Sequence, residues 1–170
     1  MKAFLLILLF LPTVTFSQQK KTSGFFQFEF GTYLIQERDP AIGVQLSGNG
    51  EFGKGFYTGL GIGVVKFQNL DGVYIPINLK FTLIAYKNKT SPMIILDPGY
   101  GAYKNSIRVG SISIVTQGGF NFFGGLGIAF GPEGKGRGFI AAGYQLFGFQ
   151  VNEKAANTES IGIKFGLMIH

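Results

Sequence analysis

Four charged residues stand alone inside otherwise uncharged stretches. They are Glu29 in FFQFEFGTY, Lys80 in PINLKFTL, Asp97 in IILDPGY and Lys164 in IGIKFGL. Two carboxylates and two ammonium groups held away from water could act as a polar gate or a proton-handling site. They could equally form a neutral network that fills an interior, because a buried charge must be paired. The spacing favours the structural use. Nucleophilic catalysis needs a general base within hydrogen-bond reach of a hydroxyl or thiol, most often a histidine. The sequence has one His, the terminal His170, and no Cys. No metal-ligand spacing occurs, and Asp39 and Asp71 are isolated loop acids. The glycine strings GLGIG and GGLGIAFG lack the following helix that a dinucleotide site requires. No catalytic residue, metal or cofactor is therefore assigned, and the chain is not expected to be an enzyme.

The elements that must carry these charges alternate with a period of two, which marks β-strands. Eight apolar-alternating runs follow Ser23. They are 24–36, 41–52, 56–67, 73–86, 92–103, a sixth that includes 120–130, 138–151 and the closing 160–170. In the first, Phe26, Phe28, Phe30, Thr32 and Leu34 oppose Gln27, Glu29, Gly31 and Tyr33. In the last, Ile161, Ile163, Phe165, Leu167 and Ile169 oppose Gly162, Lys164, Gly166 and Met168. No run has a helical period. Pro76 predicts a bulge or an irregular ladder position in the fourth run. The alternation of the seventh slips near Phe147, which predicts a bulge there.

The polar faces decide which side looks inward. They hold mostly Gly, Asn, Gln and Tyr, with at most one charge on most strands. That is too small and too sparsely charged for a water-facing skin. It suits the interior of a narrow closed barrel, where eight strands leave just enough room for side chains. The apolar faces then point out into lipid, and each run exceeds the ~9–11 tilted residues that cross a bilayer core. Lipid also demands that every backbone polar group be paired, which a closed barrel achieves. The expected fold is all-β, an eight-stranded antiparallel up-and-down transmembrane β-barrel. An even strand count places both termini on the periplasmic side. The turns 53–55, 87–91 and 131–137 would join them there, with the loops 36–40, 68–72, 104–110 and 152–159 outside. With a hairpin centred on Lys89, Lys80 faces Asp97. Barrel closure of the first strand on the last sets Glu29 opposite Lys164. A soluble exported lipocalin-like barrel is the competing fold; it would bury nearly all of its many Phe in a small lumen.

Composition agrees with a membrane setting. Charged residues are 14% and aromatic residues 15%, and 27 of 170 residues are Gly. An ordinary soluble domain carries roughly 25% charged residues and ~7% Gly. The first 17 residues, MKAFLLILLFLPTVTFS, read as a cleaved signal peptide. Lys2 precedes an apolar core too short to span a membrane, and Thr15 and Ser17 are small residues before the cut. The mature chain would begin at Gln18, with 18–23 a lead and 24–170 the barrel. Removing the signal takes one Lys and no acid, so the net charge of +6 falls to +5. The basic residues are dispersed, which argues against nucleic acid as a partner.

The export signal, VYIPINLKF at 73–81, GFNFFGGLGIAFG at 119–131, GYQL at 143–146 and the alternating terminal strand together carry a resemblance. The chain resembles the small eight-stranded outer-membrane β-barrel family of Gram-negative bacteria over nearly all of residues 24–170. The resemblance implies residence in the outer membrane. It also implies a terminal aromatic residue read by the assembly machinery, where this chain has His170. It implies function poorly, since such barrels serve many roles. The roles in contention are a structural or interaction protein with a filled lumen, an accessory subunit of a larger outer-membrane complex, and a narrow channel. Partners would be outer-membrane lipid and another outer-membrane or surface protein. The stretch SIRVGSISIVTQGGF (106–120) is the expected partner element. Ile112, Ile114 and Thr116 share the parity of Phe120 and Phe122, so the sixth strand should run on to about Ser111 and raise a hairpin with a free edge. Arg108, Ile112 and Ile114 are its expected contacts.

Overall fold

The computed structural model describes residues 24–36, 39–68, 72–85, 89–109, 112–132, 136–152 and 154–170, with the side chains of Lys104, 106–109 and 112–114 left out. The expected signal peptide 1–17 and lead 18–23 lie outside the described residues. Among the described residues nine strands form in chain order: β1 Gly24–Ile35, β2 Ala41–Gly53, β3 Phe56–Lys66, β4 Ile75–Ile84, β5 Thr90–Ala102, β6 Lys104–Val109, β7 Ile112–Phe130, β8 Arg137–Val151 and β9 Lys154–Ile169. Every pairing is antiparallel. β5 and β6 are two halves of one barrel strand broken at Tyr103, and both pair with β7. The ladder β1–β9 joins the two ends of the chain, and β5–β7 completes the ring. The fold is a closed eight-stranded antiparallel barrel without helices among the described residues.

The two faces of each strand separate as the alternation requires. Phe26, Phe28 and Phe30 of β1 are exposed on the outside, and Phe25, Gln27, Glu29 and Tyr33 are buried in the lumen. The same division holds on β9, where Ile161, Phe165, Leu167 and Ile169 are exposed and Lys164 and Met168 buried. The outer surface is thus a continuous apolar belt of Phe, Leu, Ile and Val. A soluble barrel would spend these residues inside, so the greasy-inside alternative does not describe this chain.

The two ends of the barrel differ. One carries the first and last described residues, Gly24 and His170, and the connections β2–β3, β4–β5 and β7–β8. The other carries β1–β2, β3–β4, β6–β7 and β8–β9, and here the wall is uneven. β3 and β4 have 11 and 10 residues, while β7, β8 and β9 have 19, 15 and 16. The segments 104–110 and 152–159, expected as loops, are largely strand: β6 pairs Lys104 with Gln117 and Val109 with Ile112, and β8 meets β9 as far as Val151 and Lys154. Main-chain pairing needs no alternation of apolar side chains, which is why NEKAANTES concealed a strand. Asn152 makes that tight turn with a positive φ of 48°, a conformation that Asn tolerates.

Proline and glycine mark where the ladders lapse. Pro76 stays in register with Gly101 of β5. The β3–β4 ladder stops at Ile62–Ile77 and resumes as an isolated bridge, Val65–Tyr74, in the same register. The missing N–H of Pro76 therefore costs pairing on one side without a bulge. Pro98 does the same between β4 and β5, where no pairing joins the steps Asn78–Gly99 and Phe81–Leu96. The bulge expected near Phe147 lies on the facing strand instead. Asn121 pairs with Phe147 and Gly118 with Phe149, so β7 holds the extra residue. β8 keeps its parity, with Phe139, Ala141, Gln145, Phe147 and Phe149 all buried. This shift also breaks the parity that linked Ile112, Ile114 and Thr116 to Phe120. Thr116 pairs with Val151 and shares the parity of Gly118, which faces buried Phe149, while Phe120 belongs to the outer face.

Candidate functional site: the charged lumen and the raised hairpin

The lumen is layered. At the end near the termini, Phe25, Tyr57, Ile84, Met93, Ile95, Phe123, Phe139 and Met168 pack into one apolar cluster. At the other end Tyr33, Val65, Phe67, Tyr74, Tyr103, Phe147 and Phe149 form a second. Its rings meet edge to face, with Phe67 and Tyr33 each 5.0 Å from Phe147. Such contacts add about 0.5–1.5 kcal/mol each beyond area burial.

Between the two clusters lie all four isolated charges, each at most 2% exposed. β1 supplies Glu29, β4 Lys80, β5 Asp97 and β9 Lys164. Lys80 donates to Asp97 Oδ2 at 3.1 Å and to Glu29 Oε1. Lys164 Nζ lies 2.6 Å from Asp97 Oδ2 and 3.2 Å from Glu29 Oε2. Each cation touches both anions, so the charges form one neutral ring rather than two pairs. Glu29 does not stand opposite Lys164. It faces Gly166, and Lys164 faces Gly31, so the two meet on the diagonal. Lys80 and Asp97 meet where Pro98 has opened the β4–β5 ladder, and their ion pair spans the gap.

The surroundings support this ring. Gln27 donates to Glu29 Oε1 at 2.6 Å, and the ammonium of Lys164 sits 3.9 Å from the centre of the Phe123 ring. Lys80 crosses the lumen over β3, and Gly61 leaves the room. A Cβ there would lie 3.3 Å from Lys80 Cδ and 2.6 Å from Gln45 Nε2. Nearer the termini, buried Arg137 donates to Ser91 Oγ at 2.9 Å. Sequence reasoning missed Arg137 because it adjoins a turn-like string, although it shares the parity of Phe139.

The remaining sequence candidates fall elsewhere. His170 follows β9, its ring 5.5 Å from Phe25, at the end of the barrel opposite the β6–β7 hairpin. Asp39 lies in the β1–β2 connection, and Asp71 lies outside the described residues. Among the described residues no group of three or more His, Cys, Asp or Glu is placed to hold a metal. Arg108, Ile112 and Ile114 belong to the β6–β7 ladder, with Arg108 paired to Ser113, Ile107 to Ile114 and Val109 to Ile112. β7 is the strand that flanks β6, which ends the strand order, and among the described residues no strand pairs with its other edge.

The same barrel occurs in Neisserial surface protein A, NspA, whose crystal structure superposes with a TM-score of 0.65. In fold, this chain is similar to NspA. The match covers 88% of this chain and 99% of NspA at 11% identity. The N-terminal β-barrel domain of Pseudomonas aeruginosa OprF also aligns, at TM-score 0.44 and 12% identity, over 86% of this chain and 99% of that domain. No protein-family model matches the sequence, and no curated protein matches it.

Proposed function

We propose that this chain is an integral protein of the bacterial outer membrane, non-catalytic, with a filled lumen and a structural or interaction role. The observation that carries this reading is the inversion of the barrel. Lys80, Lys164, Glu29 and Asp97 are buried inside, while Phe26, Leu60, Leu126 and Ile161 are 61–69% exposed outside. Water would not stabilise such a surface, whereas lipid would. The fold likeness to NspA supports the same setting. The termini would be periplasmic, and the β6–β7 hairpin and the raised β8–β9 end extracellular, an asymmetry usual in outer-membrane barrels. The two apolar clusters and the ion ring between them oppose passage of solutes, which disfavours the narrow channel.

Interaction is assigned to the β6–β7 hairpin. An open strand edge accepts a further strand by main-chain hydrogen bonds. Stable co-purification in mild detergent would favour an accessory subunit of a larger outer-membrane complex.

The test is reconstitution of the mature chain in phospholipid vesicles. It should resist carbonate extraction, migrate differently before and after boiling on a denaturing gel, and give no stable conductance steps in planar bilayers. Release by carbonate would remove the membrane reading, and stable open steps would remove the filled lumen.

A further inference from the structure

Above the belt, the outer face of the wall changes character. On β8 it runs Ile140, Ala142, Tyr144 and Leu146, and then Gly148 and Gln150, with Asn152 in the turn that follows. Gln150 pairs across to Gln117 on β7, and both are exposed. Val115, Gln117, Gln150 and Asn152 line a shallow groove between the two strands. Gly148 lies at its lower edge, packed so closely on the Phe120 backbone that no side chain fits. Asn152 is committed to the structure: its Oδ1 accepts from Val115 N, and its N donates to Val115 O, both at 2.9 Å. The two glutamine amides are the adaptable groups.

We infer that this groove binds the sugar of a membrane-borne glycolipid in the outer leaflet, an inference that rests on the membrane reading above. A primary amide offers two donors and one acceptor on a planar head, which matches neighbouring hydroxyls that both donate and accept. Among the described residues the lining carries no charge, and its amides match sugar hydroxyls more closely than phosphate or carboxylate. Height and direction select the source. Gln150 lies four residues beyond Leu146, on the order of 10 Å above the belt at ~3.3 Å per tilted residue. That is the level of a lipid headgroup. The groove opens sideways from the barrel wall, on the face opposite buried Phe149, so it meets molecules standing in the membrane rather than solutes approaching along the barrel axis.

The test compares the wild type, Gln117→Ala/Gln150→Ala and the control Gln68→Ala, which alters an exposed amide on another connection. Each is reconstituted in phosphatidylcholine vesicles with and without lipopolysaccharide that carries its core sugars. Detergent extraction then measures glycolipid retained per barrel. The wild type and Gln68→Ala should retain it, and the double variant at least about fivefold less. Free core oligosaccharide at the same sugar concentration should not displace it. Equal retention by all three proteins would overturn the groove assignment, and full displacement by free oligosaccharide would overturn the membrane-borne source. Loss of carbonate resistance by the wild type in plain phosphatidylcholine would instead overturn the membrane reading on which the inference stands.

Discussion

Lys80 is the residue on which the interior turns. It touches Glu29 and Asp97 together and is fully buried. Replacing it with Met leaves two carboxylates to share Lys164, an unbalanced charge in a closed lumen. Breaking a buried ion pair in this way costs about 3–5 kcal/mol. Lys80→Met should therefore lower the unfolding free energy in micelles by that order, measured by urea titration. Adding Asp97→Leu should recover part of the loss, because Glu29 and Lys164 then remain as a neutral pair. A single variant as stable as wild type, or a double variant worse than the single, would contradict the ring. The charges themselves were legible in the sequence from their isolation and parity. The contact of Lys80 with Asp97 was legible as well, but the convergence of all four charges was not. Ladder register relates neighbouring strands, whereas the ring brings β1, β4, β5 and β9 together across the barrel. The diagonal meeting of Glu29 with Lys164 also depends on a register shift of two residues that strand patterns do not contain.

Strands were the most readable elements, because side-chain alternation is both their sequence signal and the cause of their two faces. It fails where side chains carry no sign. Gly118 and Gly119 hide the bulge of β7, so parity counted from Phe120 leads to the wrong face for Thr116. The strand extension of β7 was legible in SISIVT and the length of β8 in the run 138–151, whereas the extension of β9 past the belt was not, since Asn157, Thr158 and Glu159 announce no face. The β6–β7 hairpin continues β5 and β7 beyond the β7–β8 ladder, which ends at Thr116 and Val151. Deleting 106–115 should leave boiling-dependent gel mobility unchanged while reducing capture of a protein partner that co-purifies with the wild type. A deletion that abolishes folding, or capture that is undiminished, would show that this hairpin is not the binding element.

At the scale of the whole molecule, the fold expresses one division of residue types. Apolar side chains face out in a belt about as tall as a bilayer core, and polar ones face in, closed at each end by aromatic clusters. The chain contains no Trp, so a single Trp placed at a chosen site reports its own surroundings. The most direct test of the membrane-spanning barrel uses Leu60→Trp, Leu79→Trp, Leu126→Trp and Phe165→Trp on the belt, with Tyr57→Trp and Phe147→Trp in the lumen. Each is reconstituted in vesicles whose acyl chains carry bromine, which quenches Trp on contact. The four belt residues should be strongly quenched on four different strands, and the two lumen residues spared. Quenching of the lumen sites with sparing of the belt, or no difference between the two sets, would contradict the account.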